Sequence, residues 1–270
     1  RTARDHRPWA NDGAVYDPSD IENAGVVVVN RTSSLTLAAA IDGSGSLTKQ
    51  GVSTLTLTAS NGFTGGTTIS AGTVALSGVG SVGPGAVTLG AGAGLDLSGA
   101  SGGRVIGDLA STGSGAVITL GGNSLEAVVT SLSTVFDGVI TGSGAFTKSG
   151  AGALTLGGTQ AFTGAATVAA GNLVVTAADV LRDAARIHIA SGAYLVASNG
   201  LTMFDGQTLG GYGTVAGDVV FEPGSVVKPG GSVGTLAVDG GMTWSGSSGY
   251  VFEVTSGTGT PGLAWDLITA

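Results

Sequence analysis

The chain has 270 residues, 51 of them glycine, with 10% charged and 5% aromatic side chains and no cysteine. A net charge of −8 with ten scattered basic residues excludes a nucleic-acid footprint and disfavours an anionic membrane surface, since both need clustered cations. No apolar run approaches the ~20 residues of a spanning helix, so no membrane insertion by this segment is expected. Without disulfides, stability rests on burial and backbone pairing.

Residues 1–24 carry His6, Trp9, Tyr16 and several charges without periodicity. They read as an irregular cap or lead-in to a single body at 25–270. The opening RTARDHRPWANDG lacks the apolar stretch of a signal peptide, so the chain reads as a processed or excised piece. Regular strands are expected from Val26–Asn30 and over 34–40.

Residues 43–76 then recur, without a gap, as 142–175, at an offset of 99. Fifteen of the 34 positions are identical, among them Lys49/148, Gly51/150, Leu55/154, Leu57/156, Phe63/162, Ala71/170 and Gly72/171. Within each copy Leu alternates with Thr, the pattern of a half-buried strand. Leu55, Leu57, Ile69, Val74 and Leu76 form the expected inward set. A weaker match aligns 85–99 with 185–200, pairing Val87 with Ile187, Leu89 with Ile189 and Leu95 with Leu195. The body therefore reads as two related modules, 43–141 and 142–270.

Between strands of the second module, TAADVLRDAAR at 176–186 has Thr176 as N-cap and Asp179 in capping-box position. This spacing predicts a short helix over 177–185. The tail at 212–254 alternates strands with PG and GG turns. With Phe204, Tyr212, Phe221, Trp244, Tyr250, Phe252 and Trp265 it holds much of the aromatic content, and is expected to be the better packed end.

Asn-Gly and Asp-Gly pairs leave a β-sandwich open. Gapless preservation of strand and turn lengths favours stacked coils, with small residues letting corners approach. The predicted fold is all-β: a right-handed parallel β-helix (β-solenoid) of about 10 rungs, on the order of 50 Å long at ~4.8 Å per rung, with one short helical excursion.

The repeat GSGSLTKQGVSTLTLTASNGFTGGTTISAGTV, in both copies, resembles the autotransporter-associated β-strand repeat. The tail LGGYGTVAGDVVFEPGSVVKPGGSVGTLAVDGGMTW is similar to the end of passenger domains of self-secreting outer-membrane proteins. The resemblance implies an exported bacterial β-helical stalk, extracellular, on the cell surface or secreted, with a structural or adhesive and non-enzymatic role. A glycan or surface receptor would be its partner. The alternatives are a carbohydrate-active β-helix enzyme and a filament subunit associating end to end.

No catalytic, cofactor-binding or metal residue is assigned. His188 alternates with Ile187 and Ile189 and is expected to face solvent; His6 sits in the irregular lead-in. Asp96, Asp108, Glu126 and Asp137 stand singly among Gly, Ser and Thr, where a hydrolase needs paired carboxylates. The GxGxxG at 78–83 precedes no helical pattern, which removes the dinucleotide reading. GGYGTV at 210–215 places Val215 where a calcium repeat needs Asp. Lys49 and Lys148 recur at equivalent corners and read as caps on turn carbonyls.

Overall fold

The computed structural model describes residues 20–270; most of the expected N-terminal cap, His6 included, lies outside them. Regular pairing begins at Ile21–Glu22, which runs parallel to Ile41–Asp42. The chain then winds as a parallel β-solenoid of about 11 turns, and every ladder between its strands is parallel. Hydrogen-bonded partners in adjoining coils are separated by about one coil of chain, 20 residues for Asn61 and Ile41 and 26 for Asn123 and Leu97.

Each coil visits three faces. The first is a five-stranded sheet starting with Val26–Asn30 and Ser46–Gln50, continued by a seven-stranded sheet from Ser133–Phe136 to Leu267–Thr269. The second is a seven-stranded sheet from Leu35–Leu37 to Ala161–Phe162, continued by a three-stranded sheet that begins at Leu201–Met203. The third is mostly an eight-stranded sheet from Arg104–Ile106 to Gly249–Tyr250.

Alternation along each strand sends one set of side chains inward, and register stacks them. Leu35, Leu55, Val74, Leu95, Ile118 and Ile140 form one such column. Leu154, Leu173, Leu195, Val215 and Val238 form another. Complete burial of a Leu or Val contributes about 1.5–3 kcal/mol, so these columns are the main source of cohesion. The inward set expected for the first module, Leu55, Leu57, Ile69, Val74 and Leu76, is buried as read.

The two copies of the repeat do not occupy the same faces. Ser46–Gln50 lies in the five-stranded sheet of the first face, whereas its equivalent Phe146–Ser149 lies on the third. Likewise Thr54–Leu57 lies on the second face and Ala153–Leu156 on the first. The 99-residue offset is not a whole number of coils, so the second copy is rotated by one face. Its corners are built locally and do not depend on which face they join.

The expected helix over 177–185 is absent; the segment is a run of turns. Amides of Val180, Arg182 and Ala184 reach carbonyls three residues back. The carbonyls a helix would use are taken by neighbouring coils: Ala178 by the Thr202 amide, Val180 by the Gln160 amide, Leu181 and Ala184 by Gln207 Nε2. Thr176 does not cap, since its hydroxyl donates to the Leu156 and Gly157 carbonyls. Stacking of coils outweighs a capping-box spacing.

The aromatic tail is likewise not the better packed end. Trp244 stacks on Phe221 at 4.4 Å and Tyr250 meets Phe252 edge-on at 5.8 Å. Yet Trp244 and Tyr250 are each 41% exposed and Phe252 52%. They belong to the last coil described, which packs against the preceding coil alone. Asp266 ties this coil together: its carboxylate accepts the Gly234 and Glu253 amides, each at 2.9 Å.

Candidate functional site

The lateral surface is the candidate site, and its chemistry follows from what the corners demand. Lys49 and Lys148 point inward and are fully buried. Each stands in a column of small or aliphatic residues, between Val29 and Ile69 and between Ala127 and Val168. Lys49 Nζ donates to the carbonyls of Gln50, Gly51 and Ala71 at 2.8, 2.7 and 3.2 Å. Lys148 Nζ donates to Gly150 and Ala170 at 2.7 and 2.8 Å and also to Gly152.

Each ammonium thus staples two successive coils, and its three N–H groups match three carbonyls. Burial lowers both pKa values, that of Lys148 to about 8, which leaves Lys148 mostly charged at pH 7. The identical residues around them follow from this geometry. Gly171 has φ +63, and a Cβ there would lie 2.6 Å from Lys148 Nζ and 2.5 Å from the Gly150 carbonyl. The lysines are structural caps, as their spacing predicts.

Buried amides staple other corners, and these were not singled out from the sequence. Asn61 Oδ1 accepts the Ile41 amide at 2.7 Å, and Gln160, its counterpart in the second copy, accepts the Ile140 amide at 2.8 Å. Their recurrence as Asn and Gln 99 residues apart was the available signal.

Outward strand positions are most often Thr, followed by Val, Ala and Ser, and Val26, Val105, Val117 and Val135 are exposed. Register aligns Thr48, Thr68 and Thr88 in one row, and Thr147 and Thr167 in another. His188 is outward and half-buried, with Nδ1 3.2 Å from Arg186 Nη2. Asp108 receives the Thr130 amide at 2.7 Å and also the Ser131 hydroxyl, which hold its carboxyl below the usual range against the opposing effect of burial. Glu126 accepts the Ser149 hydroxyl at 2.6 Å, and Asp96 accepts the Ser98 amide at 2.8 Å. These acids serve as local turn and coil contacts. Among the described residues no three His, Asp or Glu gather where they could hold a metal ion.

The GxGxxG stretch runs from a strand end into turns. Val215 is an inward core residue, so the 210–215 segment has no ligand at that place.

Comparison with known proteins falls on the same residues. The passenger-associated-transport-repeat family matches residues 47–76 and 146–175, the two stapled copies. Over 134 residues, 46% of this chain, it is 35% identical to the adhesin BmaC autotransporter of Brucella suis biovar 1 (strain 1330). The chain covers only 4% of that adhesin's length. No solved structure matches. Both segments similar to the passenger-associated-transport repeat are thus wound into one parallel solenoid.

Proposed function

We propose that the chain is a segment of an exported, non-enzymatic β-helical rod that presents an adhesive lateral surface outside the cell. The observation that carries this reading is how the two copies divide sameness and change. Inward and corner residues are kept or replaced in kind: Leu55/154, Leu57/156, Phe63/162, Lys49/148 and Gly72/171. Outward residues are held less strictly: Gln50/Ser149, Thr54/Ala153 and Thr73/Asn172 differ, while Thr48/147, Thr56/155 and Thr68/167 are kept. The motif therefore specifies a coil with a recurring outward threonine set and leaves the other displayed positions open, which suits a scaffold for attachment. Similarity to a bacterial adhesin supports the same role, and the absence of cysteine suits export through a narrow pore.

The test is attachment of beads coated with the chain to host-cell and glycan surfaces, with a parallel screen for glycan turnover. Attachment without turnover is expected; turnover would replace this reading with a carbohydrate-active enzyme.

A further inference from the structure

Cations are unevenly placed on this acidic rod. Lys49 and Lys148 are inside, and Arg104 is engaged by the carbonyls of Gly78, Gly80, Gly102 and Gly103. Arg186, His188 and Lys228 stand together on the third face. Register runs from Thr167 to His188, Gly210 and Lys228 in successive coils.

Gly210 has no side chain and is buried, so His188 and Lys228 stand two strand spacings apart, roughly 9.6 Å, with the Arg186 guanidinium over the backbone between them. Arg186 Nη2 lies 3.2 Å from His188 Nδ1 and 4.0 Å from where a Cβ on Gly210 would be. A side chain at 210 would also strike the Lys228 carbonyl.

A guanidinium can only donate, so His188 Nδ1 accepts and the ring presents Nε2–H as a donor. Burial, with Arg186 beside it, keeps this imidazole below its usual pKa and hence neutral. Among the described residues no carboxylate lies within ion-pair distance of Arg186, while Lys228 meets Glu253 at 3.4 Å with both side chains about one-third exposed. Such a half-exposed pair is weak and open to exchange. Donors of three kinds thus stand in register on one stretch of the third face, with Glu253 the one acid in ion-pair distance of them among the described residues, an arrangement suited to an oxyanion. Thr167 and Thr147 continue the His188 row, and Thr208 adjoins Arg186. These hydroxyls suit a polyhydroxylated chain lying along the rod.

We infer that the notch formed by Arg186, His188 and Lys228 over Gly210 binds the sulfate or carboxylate group of an acidic polysaccharide. The inference rests on the adhesive reading and names its ligand class. Calorimetric titration of the chain with dextran sulfate oligosaccharides, polygalacturonate oligosaccharides and neutral dextran tests it.

At least one anionic saccharide is expected to bind, more weakly as salt rises, and neutral dextran is expected not to. Arg186→Gln with Lys228→Gln should weaken binding about tenfold or more with an unchanged melting curve, and Arg31→Gln should leave affinity unaltered. Competition by inorganic sulfate assigns recognition to the sulfate group; competition by galacturonic acid alone assigns it to the carboxylate. Equal affinity in the double variant, equal binding of neutral dextran, or binding of polyglutamate in place of every saccharide overturns the inference. Bead attachment, measured in parallel, separates the two readings. Saccharide binding without attachment overturns the adhesive role alone, and attachment without saccharide binding overturns the notch alone.

Discussion

At the scale of single residues, the buried lysines decide how a corner closes. Lys148→Met should destabilise the rod, because each carbonyl left without a donor costs about 1–3 kcal/mol, partly offset by removal of the ammonium's desolvation. Linkage supplies a second signature. With a folded pKa of about 8 against an ordinary 10.5, the unfolded chain binds more protons between those values. The contribution of Lys148 to stability should therefore be flat below pH 8 and rise from pH 8 to 10.5. Melting temperatures across that range check this, and Lys148→Met should flatten the rise. The glycine facing the staple is equally constrained. Gly171→Ala forces a side chain against Nζ and a φ of +63, whereas Gly192, at φ +75, has nothing within 4 Å. The Gly192→Ala cost should be the conformational one alone, about 1–2 kcal/mol, and Gly171→Ala should exceed it in chemical denaturation.

At the scale of an element, the turns at 177–184 depend on neighbours more than on themselves. Gln207 is buried; its Oε1 accepts the Phe204 amide at 2.8 Å and its Nε2 donates to Leu181 and Ala184 at 2.9 and 2.6 Å. Gln207→Leu should cost about 1–3 kcal/mol through these orphaned groups and open 177–185 to protease first, as mapped by mass spectrometry of the early cuts. This element also marks the limit of what sequence makes legible. Strand faces could be read because a period of two reports inside and outside directly: Leu55, Leu57, Ile69, Val74 and Leu76 are all buried. The lysine caps could be read because Lys49 and Lys148 recur beside identical glycines. The helix over 177–185 was misread because Thr176 and Asp179 have capping spacing, while the partners that claim the backbone lie about 20 residues away in sequence. The fate of Trp244 and Tyr250 was misread for a related reason: inward orientation buries a side chain only when coils cover it from both sides. On the candidate surface, outward His188 was legible, but its alignment with Gly210 and Lys228 needed the register.

At the scale of the whole molecule, contacts run almost entirely between adjoining coils, so damage should stay near its origin. Leu156 is fully buried between Phe136 and Val175 in register, while Thr155 faces outward. Leu156→Asp loses about 1.5–3 kcal/mol of apolar burial and must also accommodate or neutralise a carboxylate. Thr155→Asp should cost under about 1 kcal/mol. Limited proteolysis of Leu156→Asp should cut near 156 and leave a protected fragment from about residue 201 onward. Global unfolding, or equal effects of the two substitutions, would show that the coils do not act as semi-independent units.

The one-face rotation between the copies bears on how such a chain can lengthen. If each corner needed a particular face, a duplicated gene segment would be tolerated only when it encoded whole coils. Here 99 residues carry the motif a third of a turn out of phase, and the downstream strands still pair in parallel. Unequal crossing-over can therefore insert segments of uneven length without breaking the reading of the winding. Each such event turns everything after it about the long axis, so duplication alone deals new combinations of side chains onto the same side of the rod.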